Sequence, residues 1–118
     1  MATINRFEDL KIWKASMDLC STAYKLTNLD SFPKDFGLKA QIRRSSVSVP
    51  SNISKGFERD SQRQFLDFLV IAKGSCGELR IHNKIAHNPR CLNEELFENL
   101  NNECLSVSKQ LAGLINYV

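Results

Sequence analysis

The sequence lacks the patterns that mark several large classes of protein. Its four cysteines form no CxxC pair, so the spacing typical of zinc ribbons is absent. The longest unbroken aliphatic or aromatic run, Phe68 to Ala72, is far too short to cross a bilayer. Nothing in residues 1–11 has the apolar middle region of a signal peptide. We therefore expect a cytoplasmic protein without a membrane partner.

Candidates for catalysis or metal binding are also few. No histidine accompanies the polar cluster near the middle of the chain in a recognisable arrangement, and such residues beside a helix proline commonly satisfy backbone groups. We interpret as packing residues Ser45, Ser46, Ser48, Ser51 and Asn52. Glu78 and His82 share a helix face, but di-iron bundles use Glu-x-x-His in two copies, which this chain does not have. We expect no enzyme activity, no metal and no cofactor.

Instead of strand alternation, the chain shows four segments with apolar residues at helical spacing. The first opens at Asn5, with Glu8 in capping-box position, and Ser61 with Gln64 forms a second capping box before the third. Asn88-Pro89 ends the third segment. The other predicted limits are a second helix from about Pro33 to about Phe57, a third from Gln62 to about His87, and a fourth from near Asn93.

The apolar spacing predicts which residues of each helix face the core. The core rows are Leu10, Trp13, Met17, Cys20, Tyr24 and Thr27 in the first helix, Leu38, Ile42, Val49, Ile53 and Phe57 in the second, Phe65, Leu69, Ala72, Cys76 and Leu79 in the third, and Phe97, Leu100, Cys104, Val107, Leu111, Leu114 and Val118 in the fourth. Cysteines on these rows are expected to be buried thiols, whereas Cys91 falls in a predicted loop and is expected to be reactive.

Short connections make sequential helices antiparallel neighbours, so residues 1–118 are predicted to form one all-α domain, an up-and-down antiparallel four-helix bundle. Pro50 lies within the second helix and is expected to kink it, because proline removes a backbone hydrogen bond. Gly74 and Gly77 are expected to permit close helix approach.

Two of the helices carry more apolar residues than the core of a four-helix bundle needs, which favours self-association. The surplus residues are Ile12, Leu19, Ala23 and Leu26 in the first helix and Phe68, Ile71 and Ile85 in the third.

Charge is distributed unevenly along the chain. Residues 28–59 carry six basic and three acidic side chains, whereas residues 91–118 carry one basic and four acidic. This asymmetry favours either an anionic partner for the middle of the chain or complementary packing between segments or subunits.

Several motifs together resemble a known protein family. The chain opens with a motif similar to FEDLxVW at 7–13, and continues with Phe36-Gly37-Leu38, QIRR at 41–44, SVPSNI at 48–53 and GFER at 56–59. Further matches are FLDFL at 65–69, AKGS at 72–75 and Glu78-Leu79. These motifs resemble the four-helix-bundle proteins encoded within intervening sequences of bacterial 23S ribosomal RNA genes, also called S23-type proteins.

The resemblance implies a fold and an assembly more than a reaction. Members of the family are four-helix bundles that associate as pentamers. A similar bundle is the accessory variability protein of diversity-generating retroelements, which associates with nucleic acid and reverse transcriptase. The chain departs from the family at Ser54-Lys55, where Ala-Glu is usual, and at 80–84, where RIHNK replaces a run rich in Glu and Gln. Both departures make the surface more basic.

Two functions follow as expectations. The first is a non-enzymatic homo-oligomer that binds the RNA or DNA backbone through a basic surface of the second and third helices. Its candidate residues are Lys39, Arg43, Arg44, Lys55, Arg59 and Arg63. The second is an oligomeric scaffold or protein-interaction module that binds no nucleic acid and pairs its basic residues across subunits. By the resemblance, partners would be further copies of the chain and possible targets would include a reverse transcriptase or a ribosomal component.

Overall fold

A computed structural model describes residues 4–87 and 94–118 of the chain. Within these ranges it contains a 3-10 turn, Phe7–Asp9, and four α-helices and no strands. The helices are α1 (Lys11–Thr27), α2 (Phe36–Glu58), α3 (Gln62–Ala86) and α4 (Glu94–Tyr117). Asn88-Pro89, Cys91 and Asn93, to which the sequence assigned a helix end, a reactive thiol and a helix start, lie outside the described residues.

Two helix starts have side-chain caps. The Asp35 carboxylate accepts a hydrogen bond from the backbone N–H of Leu38 at 3.0 Å, and this cap sets the start of α2 a few residues after the predicted position. The Ser61 hydroxyl accepts one from the N–H of Gln64 at 3.3 Å, as the predicted capping box requires. The predicted start at Asn5 is wrong, because the chain first makes the 3-10 turn and enters α1 at Lys11.

The four helices form an all-α, up-and-down antiparallel bundle. Each helix packs against its neighbours in the chain, and α1 closes the bundle by packing against α4. The turn between α2 and α3 is tight, and Asp60 adopts a positive φ of 56° there, a conformation that aspartate tolerates better than most residues. The molecule is elongated, with extents of 49 × 23 × 20 Å, as expected for helices of this length lying side by side.

The predicted core rows of α2, α3 and α4 are confirmed, but the row of α1 is wrong. The central residues of those three rows are fully buried, including Ile42, Leu79 and Leu100. In α1 the buried apolar side chains belong to the row that was assigned to surplus surface, namely Ile12, Leu19, Ala23 and Leu26, and of the predicted core row Thr27 alone is buried. Met17 and Tyr24 of the predicted core row stay 43% and 38% exposed. Both rows have helical spacing, so spacing alone does not select the side that the bundle buries.

Pro50 is buried inside a helix that continues on both sides of it. Neighbouring hydroxyl and amide groups bond to backbone carbonyls of the same helix. The Ser54 hydroxyl donates to Pro50 O at 3.1 Å, and Asn52 Nδ2 donates to Ser48 O at 2.7 Å. These bonds agree with the packing interpretation of the polar cluster. The kink at Pro50 stays a prediction.

Two cysteine thiols lie deep in the contact between α3 and α4. Cys76 and Cys104 are both fully buried and carry free thiols. Burial raises the pKa of Cys76 from the ordinary 9.0 to about 11, and burial followed by the charge of Cys76 raises the pKa of Cys104 to about 12. Both thiols are therefore poor nucleophiles at neutral pH, as expected for structural cysteines.

None of the helices in residues 4–87 and 94–118 combines the length and the apolar composition that a membrane span requires.

Candidate nucleic-acid interface

The outward side of α2 carries two exposed cations, Arg44 and Lys55. They are separated by three helical turns, or about 16 Å along the axis, and so point in nearly the same direction. The buried residues Ile42, Val49 and Ile53 occupy the opposite side of the helix. Among residues 4–87 and 94–118, neither cation makes a hydrogen bond or an ion pair. Both charges are therefore open to a ligand.

Two further exposed cations, Arg59 and Arg63, flank the turn from α2 into α3. Arg59 is the C-terminal cap of α2, and its guanidinium lies over the Phe68 ring, 5.3 Å from the ring centre. Arg63 is exposed in the first turn of α3. We call Arg44, Lys55, Arg59 and Arg63 the basic ridge.

Arg43 was a candidate, but the structure engages it in a contact between helices. Its Nε donates to Thr27 Oγ1 at 2.9 Å and its Nη2 donates to Asn28 Oδ1 at 2.7 Å. Its guanidinium also lies over the Tyr24 ring, 4.9 Å from the ring centre. Arg43 therefore joins α2 to the end of α1, through two hydrogen bonds and a ring contact. We exclude it from the basic ridge.

Lys39 lies away from the ridge. It lines a cleft of about 390 Å³ beside the connection between α1 and α2, together with Lys34, Asp30 and Asp35. The two carboxylates offset the two lysines, so this cleft has no excess positive charge. Helical geometry also turns Lys39 to the side of α2 away from Arg44 and Lys55. Of the six predicted residues, four form the ridge and two do not.

The structure brings an aromatic residue to the ridge that the sequence did not assign to it. Phe7, in the 3-10 turn, lines an open cleft of about 440 Å³ with Ser54, Lys55, Glu58 and Arg59. Phe7 also packs on Trp13, with ring centres 5.3 Å apart. No local pattern identifies this contact, because Phe7 is far from α2 in the chain.

The serine cluster does contain a histidine neighbour, contrary to the sequence interpretation. His82 Nδ1 lies 3.4 Å from the Ser45 hydroxyl, across the contact between α2 and α3. The hydroxyl, however, donates to Gln41 O at 2.8 Å and is buried. The serine therefore has a backbone acceptor of its own helix for its proton, as expected for a packing residue. Within the described ranges no group of three or more His, Cys, Asp or Glu side chains could hold a metal ion.

The exposed side of α3 carries several apolar residues, with two glycines between them. Val70 and Ile81 are each 54% exposed. Apart from the adjacent residues and the backbone of α3 itself, no heavy atom of the described chain lies within 4 Å of where a Cβ of Gly74 or Gly77 would be. The glycines therefore do not serve close packing inside this bundle. We call Val70, Gly74, Gly77 and Ile81 the α3 seam. Beside it lie two of the predicted surplus residues, Ile71 and Ile85, which are also exposed.

A protein-family model for the 23S rRNA-intervening sequence protein matches residues 8–113 of the chain. The chain belongs to this family. The match covers all four helices, including α4, for which the sequence showed only an apolar pattern. The predicted relation to the accessory variability protein of retroelements stays a prediction.

A solved structure supports the fold of this chain. It is a protein of unknown function from the S23 ribosomal protein family of Bacteroides thetaiotaomicron VPI-5482, with a TM-score of 0.81 and 24% sequence identity. The similarity covers 88% of this chain and 97% of that one. At this level of sequence identity, the similarity is evidence for a shared fold and not for a shared function. The comparison with curated protein sequences gives no match.

Proposed function

We propose that this member of the family is a non-enzymatic, cytoplasmic homo-oligomer that binds the RNA or DNA backbone through the basic ridge. The observation that carries the proposal is the pair Arg44 and Lys55, both exposed, aligned and without a protein partner in the described residues. An unpaired surface cation is suited to a phosphate, because binding releases counterions from the nucleic acid.

The ridge favours backbone contact over reading of base sequence. Arg44 and Arg59 are about 22 Å apart along α2, so the ridge can meet several successive phosphates of one strand or duplex. The unpaired cations lie on one side of α2, and the core occupies the opposite side. The charges on α4 are mostly acidic, which favours a single basic surface on each subunit.

The α3 seam favours self-association. Its four residues are spaced four, three and four apart, as in the seam of a coiled coil, and its two glycines allow a second helix to approach closely. Lys73 and Glu78 are exposed and separated by five positions, so in a parallel pair of α3 helices the lysine of one copy can face the glutamate of the other. A second copy of the chain would therefore cover the exposed apolar side chains of the α3 seam and pair the exposed charges beside it. A pentamer is the assembly that the family suggests.

Binding and assembly can be tested on the same sample. Filter binding to structured RNA over a salt series should give an affinity that falls steeply as salt rises. Weak binding at low salt without a salt dependence would contradict the proposal. Light scattering should report an oligomer that Ile81→Lys dissociates. Met17→Lys, at an exposed apolar position on α1, should leave the oligomer intact. A monomeric parent protein would contradict self-association.

One alternative is an oligomeric scaffold that does not bind nucleic acid, in which ridge cations pair with acidic residues of a neighbouring subunit. If the protein is such a scaffold, charge reversal at Arg44 or Arg59 should break the assembly. If it binds nucleic acid through the basic ridge, the same change should leave the assembly intact and weaken RNA binding. A reverse transcriptase or a ribosomal component as a further partner stays a prediction.

A further inference from the structure

The open cleft at the end of the ridge combines four kinds of chemistry in one place. Its lining provides an aromatic ring from Phe7, two cations from Lys55 and Arg59, a hydroxyl from Ser54 and a carboxylate from Glu58. We call this group the Phe7 cleft. It lies where the 3-10 turn packs against the last turns of α2, so its aromatic and charged parts come from segments distant in the chain.

The parts of the cleft are held in place. The Phe7 ring rests on Trp13 with an angle of 59° between the planes. The 3-10 turn is closed by the Leu10 N–H, which donates to Phe7 O at 3.0 Å, and by an ion pair of 3.7 Å between Arg6 and Asp9. In the part of the cleft formed by α2, the contact of the Arg59 guanidinium with the Phe68 ring holds this side chain in place. A ligand would therefore meet a site that is largely formed before it binds.

We infer that the Phe7 cleft binds one unpaired nucleotide of a single strand, with its base against Phe7 and its phosphate between Lys55 and Arg59. Single-strand sites combine a cationic path for the backbone with aromatic rings on which bases stack. The cleft has room for a base, whereas the bases of a duplex are already stacked on each other. Glu58 repels a second phosphate and so restricts the cleft to one. This inference rests on the proposed function of the ridge.

The test compares a short oligouridine strand with an RNA duplex of the same length, by fluorescence anisotropy on the full chain. Phe7→Leu keeps an apolar side chain but removes the stacking ring. It should weaken binding to the single strand about tenfold, as expected for loss of one stacked base, and change duplex binding less than twofold. Phe7→Tyr should restore single-strand binding. Phe36→Leu, which removes a ring 83% exposed at the opposite end of α2, should leave both affinities unchanged.

A second readout uses the single tryptophan of the chain, Trp13. Because Phe7 lies against it, the strand should change the tryptophan fluorescence of the parent protein, and the duplex should not. Thermal unfolding of each variant separates these effects from a loss of fold. Uridine monophosphate should bind far more weakly than the strand, and equal binding of the two would overturn the assignment to a strand.

Failure of this inference is distinguishable from failure of the proposed function. If the parent protein binds neither strand nor duplex, the ridge itself is wrong. If it binds both with a salt dependence and Phe7→Leu leaves both affinities unchanged or lowers both equally, only the Phe7 cleft is wrong. An equal loss of single-strand binding for Phe36→Leu would also overturn the inference.

Discussion

The two sides of α2 use the same kinds of residue for different purposes. Arg43 donates two hydrogen bonds to the end of α1, whereas Arg44, one position further on, is exposed and has no partner among the described residues. On the sides that face the bundle, the hydroxyls of Ser45 and Ser46 bond to carbonyls of their own helix. The helix turns by about 100° per residue, so adjacent residues have different surroundings.

This contrast shows that the number of cations in a segment overestimates the charge that is available to a ligand. Residues 28–59 contain six cations, but Arg43 contributes to the packing of two helices and Lys39 shares a cleft with two carboxylates. The charge that remains for a ligand is the smaller set on the outward side. The experiments below test whether the inward residues act on stability and the outward residues on binding.

The largest effect on stability should come from the buried thiols. Because folding raises the pKa of Cys76 to about 11 and of Cys104 to about 12, their contribution is fully present below pH 9 and is lost as pH rises toward those values. Ionisation of the two thiols in the unfolded chain should lower the free energy of unfolding by about 4 kcal/mol by pH 10.5. Urea unfolding under reducing conditions measures this loss.

The control is the double variant Cys76→Ala/Cys104→Ala. It should be less stable at neutral pH, but its stability should fall less steeply above pH 9. Parallel pH profiles for the parent and the double variant would contradict the buried, uncharged state of these thiols.

The next effect concerns the contact between α2 and α3 at Gly56. A Cβ there would lie 2.7 Å from Phe68 Cβ and 3.3 Å from Phe65 Cα, so one helix would have to shift. Gly56→Ala should therefore destabilise the fold by about 2 kcal/mol, although alanine favours helix. Gly113→Ala, in α4, should stabilise the fold by up to about 1 kcal/mol, because a Cβ there would meet no side chain or other helix of the described chain within 4 Å. Equal effects of the two changes in thermal unfolding would refute the close contact at Gly56.

A smaller effect should separate the two adjacent arginines. Arg43→Met removes two hydrogen bonds and the contact with Tyr24, and should cost about 1 to 2 kcal/mol in urea unfolding. Arg44→Met should change stability by less than about 0.5 kcal/mol but weaken RNA binding. If both variants lose the same stability, the distinction between the inward and outward sides of α2 fails.

The sequence predicted the helices better than their contacts. Capping at Ser61 and the apolar rows of α2, α3 and α4 were predictable because they depend on local spacing. The buried side of α1 was not, since two rows of similar spacing compete and the choice depends on how α1 rotates against its neighbours. The start of α1 was also wrong, because Glu8 belongs to the 3-10 turn that precedes the helix.

Less of the candidate site was predictable. The outward positions of Arg44 and Lys55 follow from their spacing in α2, because that spacing puts both opposite the buried residues of the helix. The partners of Arg43 and the approach of Phe7 to Lys55 and Arg59 join residues of different segments. Such contacts depend on the rotation and offset of packed helices, which one sequence does not specify.

The most direct test of the account removes two ridge charges and compares the result with a matched pair elsewhere. Arg44→Gln/Lys55→Gln and Lys14→Gln/Lys25→Gln each remove two exposed cations with the same spacing, from α2 and from α1. The slope of log affinity against log salt, measured on duplex DNA, should fall in magnitude by about 1 to 2 for the α2 pair and stay unchanged for the α1 pair. An equal reduction for both pairs would show that net charge, and not the basic ridge, governs binding.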